Sequence, residues 1–282
     1  MTINQEKILT LVDKMPAFPK SAHRIIELSN DINCAPRDLV EVIEHDPVLT
    51  LKTLKLVNSS YFGLAKEITS VKHGVVYLGI NTIKNVALSV AAIGALPKDN
   101  KADFDMNAFL WHSLLTGVVA KLIIKKKNGT NADMSNAFVA GLLHDIGKVV
   151  FVQFLAEEFK ECLSQSRAFE TPCYEAEEEL IGIHHAEIGG LVIEKWQLPM
   201  ELADSIRFHH SAREEASLLE KSLFVANQAS KLVIEEAPIL SQFEELPEAL
   251  QEWIEVPLAE LNENLPDLNE EIEKAKMFTQ LG

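Results

Sequence analysis

The sequence predicts an all-α fold, and two observations carry that prediction: apolar residues recur at helical spacing along the chain, and strand signals are scarce. Ile25, Ile26 and Leu28, then Leu39, Val40, Val42 and Ile43, then Leu49, Leu51, Leu54 and Leu56 fall at the three-or-four spacing of one helix face. The valine-rich pieces from Val71 to Tyr77 and from Val86 to Val90 are short, and no Asn-Gly turn joins alternating segments.

The helices are punctuated by residues suited to their ends. Asp31, Asn33, Cys34, Ala35 and Pro36 mark a break. Asp46-Pro47 opens the next helix, with proline tolerated in the first turn and Asp46 as its cap. Asn58, Ser59 and Gly63 read as the tying-off of that helix, with a partner-binding surface as the alternative. Asn128-Gly129 closes the helix containing Val118, Val119, Leu122 and Ile123. A polar stretch from Pro97 to Asp103 separates two apolar blocks, and beyond about Glu235 acidic residues greatly outnumber basic ones. Phe243 and Trp253 among those acids indicate that the closing segment packs, its charges forming a solvated face or an acidic docking surface. The expected organisation is therefore 1–100, 101–235 and 236–282.

Composition narrows the function classes. With 282 residues, 47% hydrophobic and 24% charged, the chain has the balance of a folded globular protein. A formal net charge of -16 opposes broad nucleic-acid binding, although a local site for a small phosphate ester is compatible with it. Cys34, Cys162 and Cys173 are scattered, which suggests neither a disulfide framework nor a thiolate zinc site. The N-terminus lacks signal-peptide character, and the longest apolar run, around Val86 to Leu96, is too short to span a bilayer. The expectation is a cytoplasmic protein with no membrane association.

Six of nine histidines lie between residues 112 and 210: His112, His144 beside Asp145, His184 with His185, and His209 with His210. A single histidine on an apolar helix is usually a hydrogen-bonded core residue. The joint order on separate helices instead suggests one site, since neutral imidazole with carboxylate suits Fe, Mn, Zn or Mg-type centres. Asp145 could bridge two ions, Lys148 could face a phosphate oxygen, and Gly141 and Gly147 would keep the helix surface open beside them.

The segment GLLHDIGK resembles the signature of the HD phosphohydrolase superfamily. MPAFPKSAHRIIEL, IEHDPVLTLKTLKLVNSSYFG, VKHGVVYLGINTIKNVAL and LIGIHHAEIGGLVIEKWQLPMELADSIRFHH are similar to segments of its HDOD branch, from about Met15 to Ser230. The resemblance implies an N-terminal helical lobe (1–100) packed on an HD-like lobe (101–235), followed by acidic C-terminal helices. It implies metal ligands at His112, His144, Asp145, His185, His209 and His210, with Lys148 facing phosphate and His184 only a neighbour. The implied cofactor is a divalent metal (Fe, Mn or Mg), as one ion or a dinuclear pair. The implied role is an output module of bacterial signalling that works with a protein partner and has little or no catalysis.

Two departures bear on activity. LFVANQASK places Asn227 where HD enzymes carry a late-helix Asp, and HHSAREEASLLEKS lacks the GYP segment of the related cyclic-di-GMP phosphodiesterases. Three function classes follow: a regulatory module, a metal-dependent phosphohydrolase acting on a nucleotide or other small phosphate ester, and a plain helical scaffold.

Overall fold

The computed structural model describes residues 5–31, 33–58, 67–94, 102, 104–211, 213, 215–233, 244–265 and 267–276. Ser59, Gly63, Phe243 and most of the polar stretch 97–103 lie outside the described residues. The regular elements are all helices: α1 (Gln5–Asp13), α2 (Lys20–Asn30), α3 (Pro36–Glu44), α4 (Pro47–Val57), α5 (Val71–Leu78) and α6 (Ile80–Gly94). Then come α7 (Met106–Lys126), α8 (Asn131–Leu143), α9 (Ile146–Phe154), α10 (Ala156–Phe169), α11 (Cys173–Leu180) and α12 (His185–Lys195). The chain closes with α13 (Met200–Arg207), α14 (Leu218–Val233), α15 (Glu248–Ile254), α16 (Leu258–Leu261) and α17 (Leu268–Lys276). It divides into two compact units, one of Met1–Pro16 with Pro97–Leu268 and one of Ala17–Leu96 with Asn269–Gly282.

In the smaller unit the helix ends follow side-chain chemistry. Asp46 Oδ1 accepts from the Val48 and Leu49 amides at 3.1 and 3.0 Å, and its Oδ2 accepts from Ser21 at 2.7 Å. Asn58 acts beyond its own helix. Its side chain donates to Ile68 O at 2.7 Å and accepts from Ile68 N at 2.6 Å, so one amide satisfies both polar groups of a buried backbone residue. Despite its valines, Val71–Leu78 is helical. Ser70 Oγ caps it by accepting from the His73 amide, and Gly79 at φ 82° makes the left-handed turn into α6.

The larger unit is built around α7, which packs against α8 and α14 and is buried along most of its length. Asn128 at φ 60° ends α7, and the Gly129 amide returns to Ile124 O at 2.9 Å. Helices α7 and α8 cross at a pair of glycines. A Cβ on Gly141 would stand 2.4 Å from Gly117 Cα, and one on Gly117 would stand 2.8 Å from Phe138 O. The stretches Met106–Lys126 and Asn131–Phe154 are each apolar and long enough to cross a bilayer, so Val86 to Leu96 is not the longest such run. They are 78% and 89% buried within the protein and serve as core helices. At the other end of the unit, Lys195 Nζ donates to Val12, Asp13 and Met15 carbonyls, and the Trp196 indole donates to Pro16 O at 2.8 Å. The lysine thus neutralises open carbonyls after α1, as a cation at a helix C-terminus does.

Candidate metal centre

His144 and Asp145 occupy the junction where α8 ends and α9 begins, rather than the middle of one helix. His144 keeps helical angles (φ -56°, ψ -36°), while Asp145 leaves them (φ -94°, ψ 10°). The break turns both side chains inward and lets α9 start at Ile146. Lys148, one turn later, folds back onto Asp145 Oδ2 at 2.7 Å.

Three other elements bring imidazoles to this junction. His112 comes from α7, His185 from the first residue of α12, and His209 and His210 from the turn after α13. His112 Nε2 is 3.9 Å and His144 Nε2 3.4 Å from Asp145 Oδ2. On the other side, His185 Nε2 is 3.0 Å and His209 Nε2 3.6 Å from Asp145 Oδ1. His210 Nε2 completes the ring at 3.1 Å from His185 Nε2. All six predicted ligands and Lys148 therefore meet in one place, and His112, His144, Asp145, His185 and His209 are each at most 1% exposed. His184 occupies the N-cap position of α12, makes no side-chain capping bond and stays outside, its ring 6.4 Å from that of His185.

Gly141 and Gly147 do not keep the surface open, contrary to expectation. Each is a point of closest helix approach. A Cβ on Gly147 would stand 1.9 Å from His185 O, so its absence is what lets α9 bring Asp145 and Lys148 against α12.

The outward nitrogen of every ring is anchored. His144 Nδ1 lies 2.7 Å from Gly141 O and His209 Nδ1 2.7 Å from Ile206 O. Carbonyls only accept, so those protons sit on Nδ1 and the Nε2 lone pairs face inward. His112 Nδ1 meets Ser230 Oγ at 3.3 Å, whose own proton goes to Asn227 O at 2.9 Å. His185 Nδ1 meets Glu177 Oε2 at 2.6 Å, and His210 Nδ1 meets Glu244 Oε1 at 2.9 Å.

The electrostatics agree with that assignment. Burial holds the His112 imidazole down at about 3 and keeps His144 and His210 well below the usual histidine range, despite the Asp145 carboxylate. His209 is lowered by the same burial. His185 moves the other way, because Glu177 and Asp145 outweigh its burial. Burial alone would raise Asp145, but His144, Lys148 and His185 hold it well below the carboxylate range.

Neutral rings have no proton to place between His112 Nε2 and His144 Nε2, which lie 3.2 Å apart. Among the described residues, Asp145 Oδ1, His209 Nε2 and Asn227 Oδ1 are buried without a hydrogen bond of proper geometry. Converging lone pairs and orphaned acceptors are a cation's requirement, and the residues fit a divalent ion. They form two groups, His112–His144–Asp145 and His185–His209–His210, each with ligand atoms within 4.8 Å of one another. The adjoining cavity, lined in part by Lys148, Tyr174, Asn227 and Lys231, measures about 10 Å³, room for about one water.

Sequence reasoning missed the outer partners. Glu177 is fully buried and also accepts the His185 amide at 2.7 Å, which orients that ring as carboxylates behind ligand histidines do. It stands in an acidic run with Glu175, Glu178 and Glu179. The available signal was its place on the stripe of Cys173, Ala176, Leu180 and Ile181, where a solvated acid does not belong. Glu244, inside the acidic closing segment, reaches the same site.

A family model, HDOD domain, matches residues 15–212. A Treponema pallidum (strain Nichols) protein with no characterised function is 26% identical over 253 residues, 88% of this chain and 48% of its own length. The chain thus spans about half of that curated relative. A Shewanella amazonensis protein provisionally named a phosphohydrolase is 25% identical, with a TM-score of 0.72 over 96% of this chain and 97% of its own. A Geobacter sulfurreducens HDOD domain protein of unknown function is also 25% identical, with a TM-score of 0.71 over 96% and 89% of the two chains. The same all-helical architecture recurs in a Marinobacter aquaeolei protein provisionally named for signal transduction, at 24% identity and a TM-score of 0.75 over 99% of this chain and 63% of that one. With more than half of its length covered by the family model, the chain belongs to the HDOD family.

Proposed function

We propose that this chain is a regulatory output module of a signalling pathway whose buried His–Asp centre holds a divalent cation, Fe, Mn or Mg, with little or no catalysis. The ligands in this reading are His112, His144, Asp145, His185, His209 and His210, and Asp145 presents one oxygen to each histidine group, which suits a pair of ions. The observation that carries it is the inward turn of four Nε2 atoms onto one buried carboxylate, with a fifth, from His210, 3.1 Å from His185 Nε2. A protein partner would read the arrangement of the helical lobes. One feature supports weak catalysis: Asn227, which lines the cavity, brings no charge where an acid is expected. Metal analysis of protein purified without chelator is the test. Bound divalent metal that His144→Ala abolishes, with no hydrolysis of a phosphodiester, is the expected result. Metal-dependent hydrolysis that the same variant removes would overturn it.

The phosphohydrolase reading has one observation of its own, the retention of Lys148 at the lip of the cavity beside Asp145. When bound, the cation would polarise a phosphoryl oxygen and supply a nucleophile at neutral pH. Lys148 would then stabilise developing charge on the phosphoryl oxygens, and the neutral imidazoles would hold the centre in place. If this reading holds, Lys148→Met lowers hydrolysis by about 100-fold or more while leaving metal content intact.

A further inference from the structure

Glu244 and Glu177 both stand behind a histidine of the centre, but they are built differently. Glu177 sits in a helix, is fully buried and is held by the His185 amide. Glu244 lies in the stretch Glu244–Pro247, before α15 and without regular structure, and its side chain is 13% exposed. A single oxygen, Glu244 Oε1, is met by His210 Nδ1 at 2.9 Å, Gln228 Nε2 at 3.2 Å and Lys231 Nζ at 3.4 Å. Gln228 is fully buried and the Lys231 side chain is 7% exposed, so the larger unit holds a cation and an amide donor at this point. Gln228 Oε1 also accepts the Glu244 amide at 2.9 Å, which seats that residue at this point. Burying an ammonium costs free energy that only an anion offsets.

We infer that His210, Gln228 and Lys231 form an anion subsite at the edge of the histidine centre that takes a phosphate oxyanion, and that Glu244 is its built-in competing occupant. The donors suit a phosphate oxygen as well as a carboxylate oxygen: one ammonium, one amide N–H and one ring N–H converging on one point. His210, Lys231 and Glu244 border the same cavity as Lys148. Glu244 reaches it from a segment anchored by the buried Leu246 and Leu250, which makes the carboxylate a tethered competitor at high effective concentration.

The test is calorimetric titration of the full chain with inorganic phosphate after chelator treatment, so that its failure leaves the metal reading untouched. Glu244→Ala should bind phosphate about tenfold or more tightly than the unaltered protein, the factor that one charge-assisted hydrogen bond typically carries. Lys231→Gln added to that variant should abolish the gain. If Glu244→Ala does not fold, Glu244→Gln removes the charge while keeping the size. Equal affinity with and without Glu244, or a gain that survives Lys231→Gln, overturns the inference. Acetate competing as well as phosphate overturns the choice of phosphate. Glycerol 2-phosphate binding at least as tightly as the free ion places the site on esters, and weaker binding places it on inorganic phosphate.

Discussion

Replacing Gly147 by alanine tests whether the centre depends on the contact between α9 and α12. At an open helix position the change would stabilise by about 0.5–1 kcal/mol, because alanine loses less backbone entropy on folding. Here the new Cβ would stand 1.9 Å from His185 O, and ordinary contact begins at 3.4 Å, so the helices must part by 3.4 − 1.9 = 1.5 Å. The obstacle is backbone, which cannot rotate aside as a side chain can. Overpacking of this kind costs about 3 kcal/mol at its upper end, leaving a net loss of about 2 kcal/mol after the helix term. For a chain of this size that lowers Tm by roughly 4–8 °C. Because His185 Nε2 stands only 3.0 Å from Asp145 Oδ1, the same displacement pulls the two histidine groups apart and weakens divalent metal binding by about 100-fold. Thermal unfolding and a Mn titration read the two effects separately. A variant with raised Tm and unchanged Mn affinity would show that α9 and α12 do not set the geometry of the centre.

Glu177→Gln keeps the shape but removes the charge behind His185, and Mn affinity should fall by about 10- to 100-fold on direct titration. Asn58→Ala leaves both polar groups of buried Ile68 without partners and should cost about 2–3 kcal/mol in urea unfolding. Asp46→Ala removes the α4 cap and should cost about 1 kcal/mol at neutral pH. Burial alone would raise the Asp46 carboxyl, but the Leu49 amide, Ser21 hydroxyl and Val48 amide pull it below its ordinary value. Its contribution is therefore complete above about pH 3.9 and is lost as pH falls through the lower folded value. Stability of the two proteins should converge at acid pH, and a gap that persists there would refute the assignment. Asn227→Asp should tighten Mn binding about tenfold or more and lower the Tm of metal-free protein, since a second carboxylate is then buried in the metal-free centre.

The helices were legible because their apolar spacing is regular and their ends carry local chemistry, as at Asp46 and at Asn128-Gly129. The ligand histidines were legible because imidazoles in that order on separate helices resemble a known arrangement. What sequence hid was the role of residues whose type is ordinary. Gly141 and Gly147 read as open surface, yet their meaning depends on which backbone approaches them, a tertiary fact. Glu177 looked like its solvated neighbours until burial separated it from Glu175 and Glu179. Glu244 lies 34 residues from His210, a pairing that no helical period connects.

Charge sets a limit on what the centre can hold. Among the described residues facing inward, Asp145 is the one carboxylate, and Lys148 already offsets it at 2.7 Å. Two divalent ions would bring four positive charges into a site whose remaining ligands are neutral imidazoles, with Asn227 adding only an amide. Glu177 and Glu244 stand one imidazole further out, and their charge reaches an ion only through the ring between them. A second ion therefore requires an added anion that meets the ions on the inward side of the rings, not in the place of Glu244 behind His210. On this argument the first cation would bind alone and a second only together with such an anion, for which phosphate is a probe. Mn titrations should show one strong equivalent in phosphate-free buffer and a second that tightens as phosphate is added.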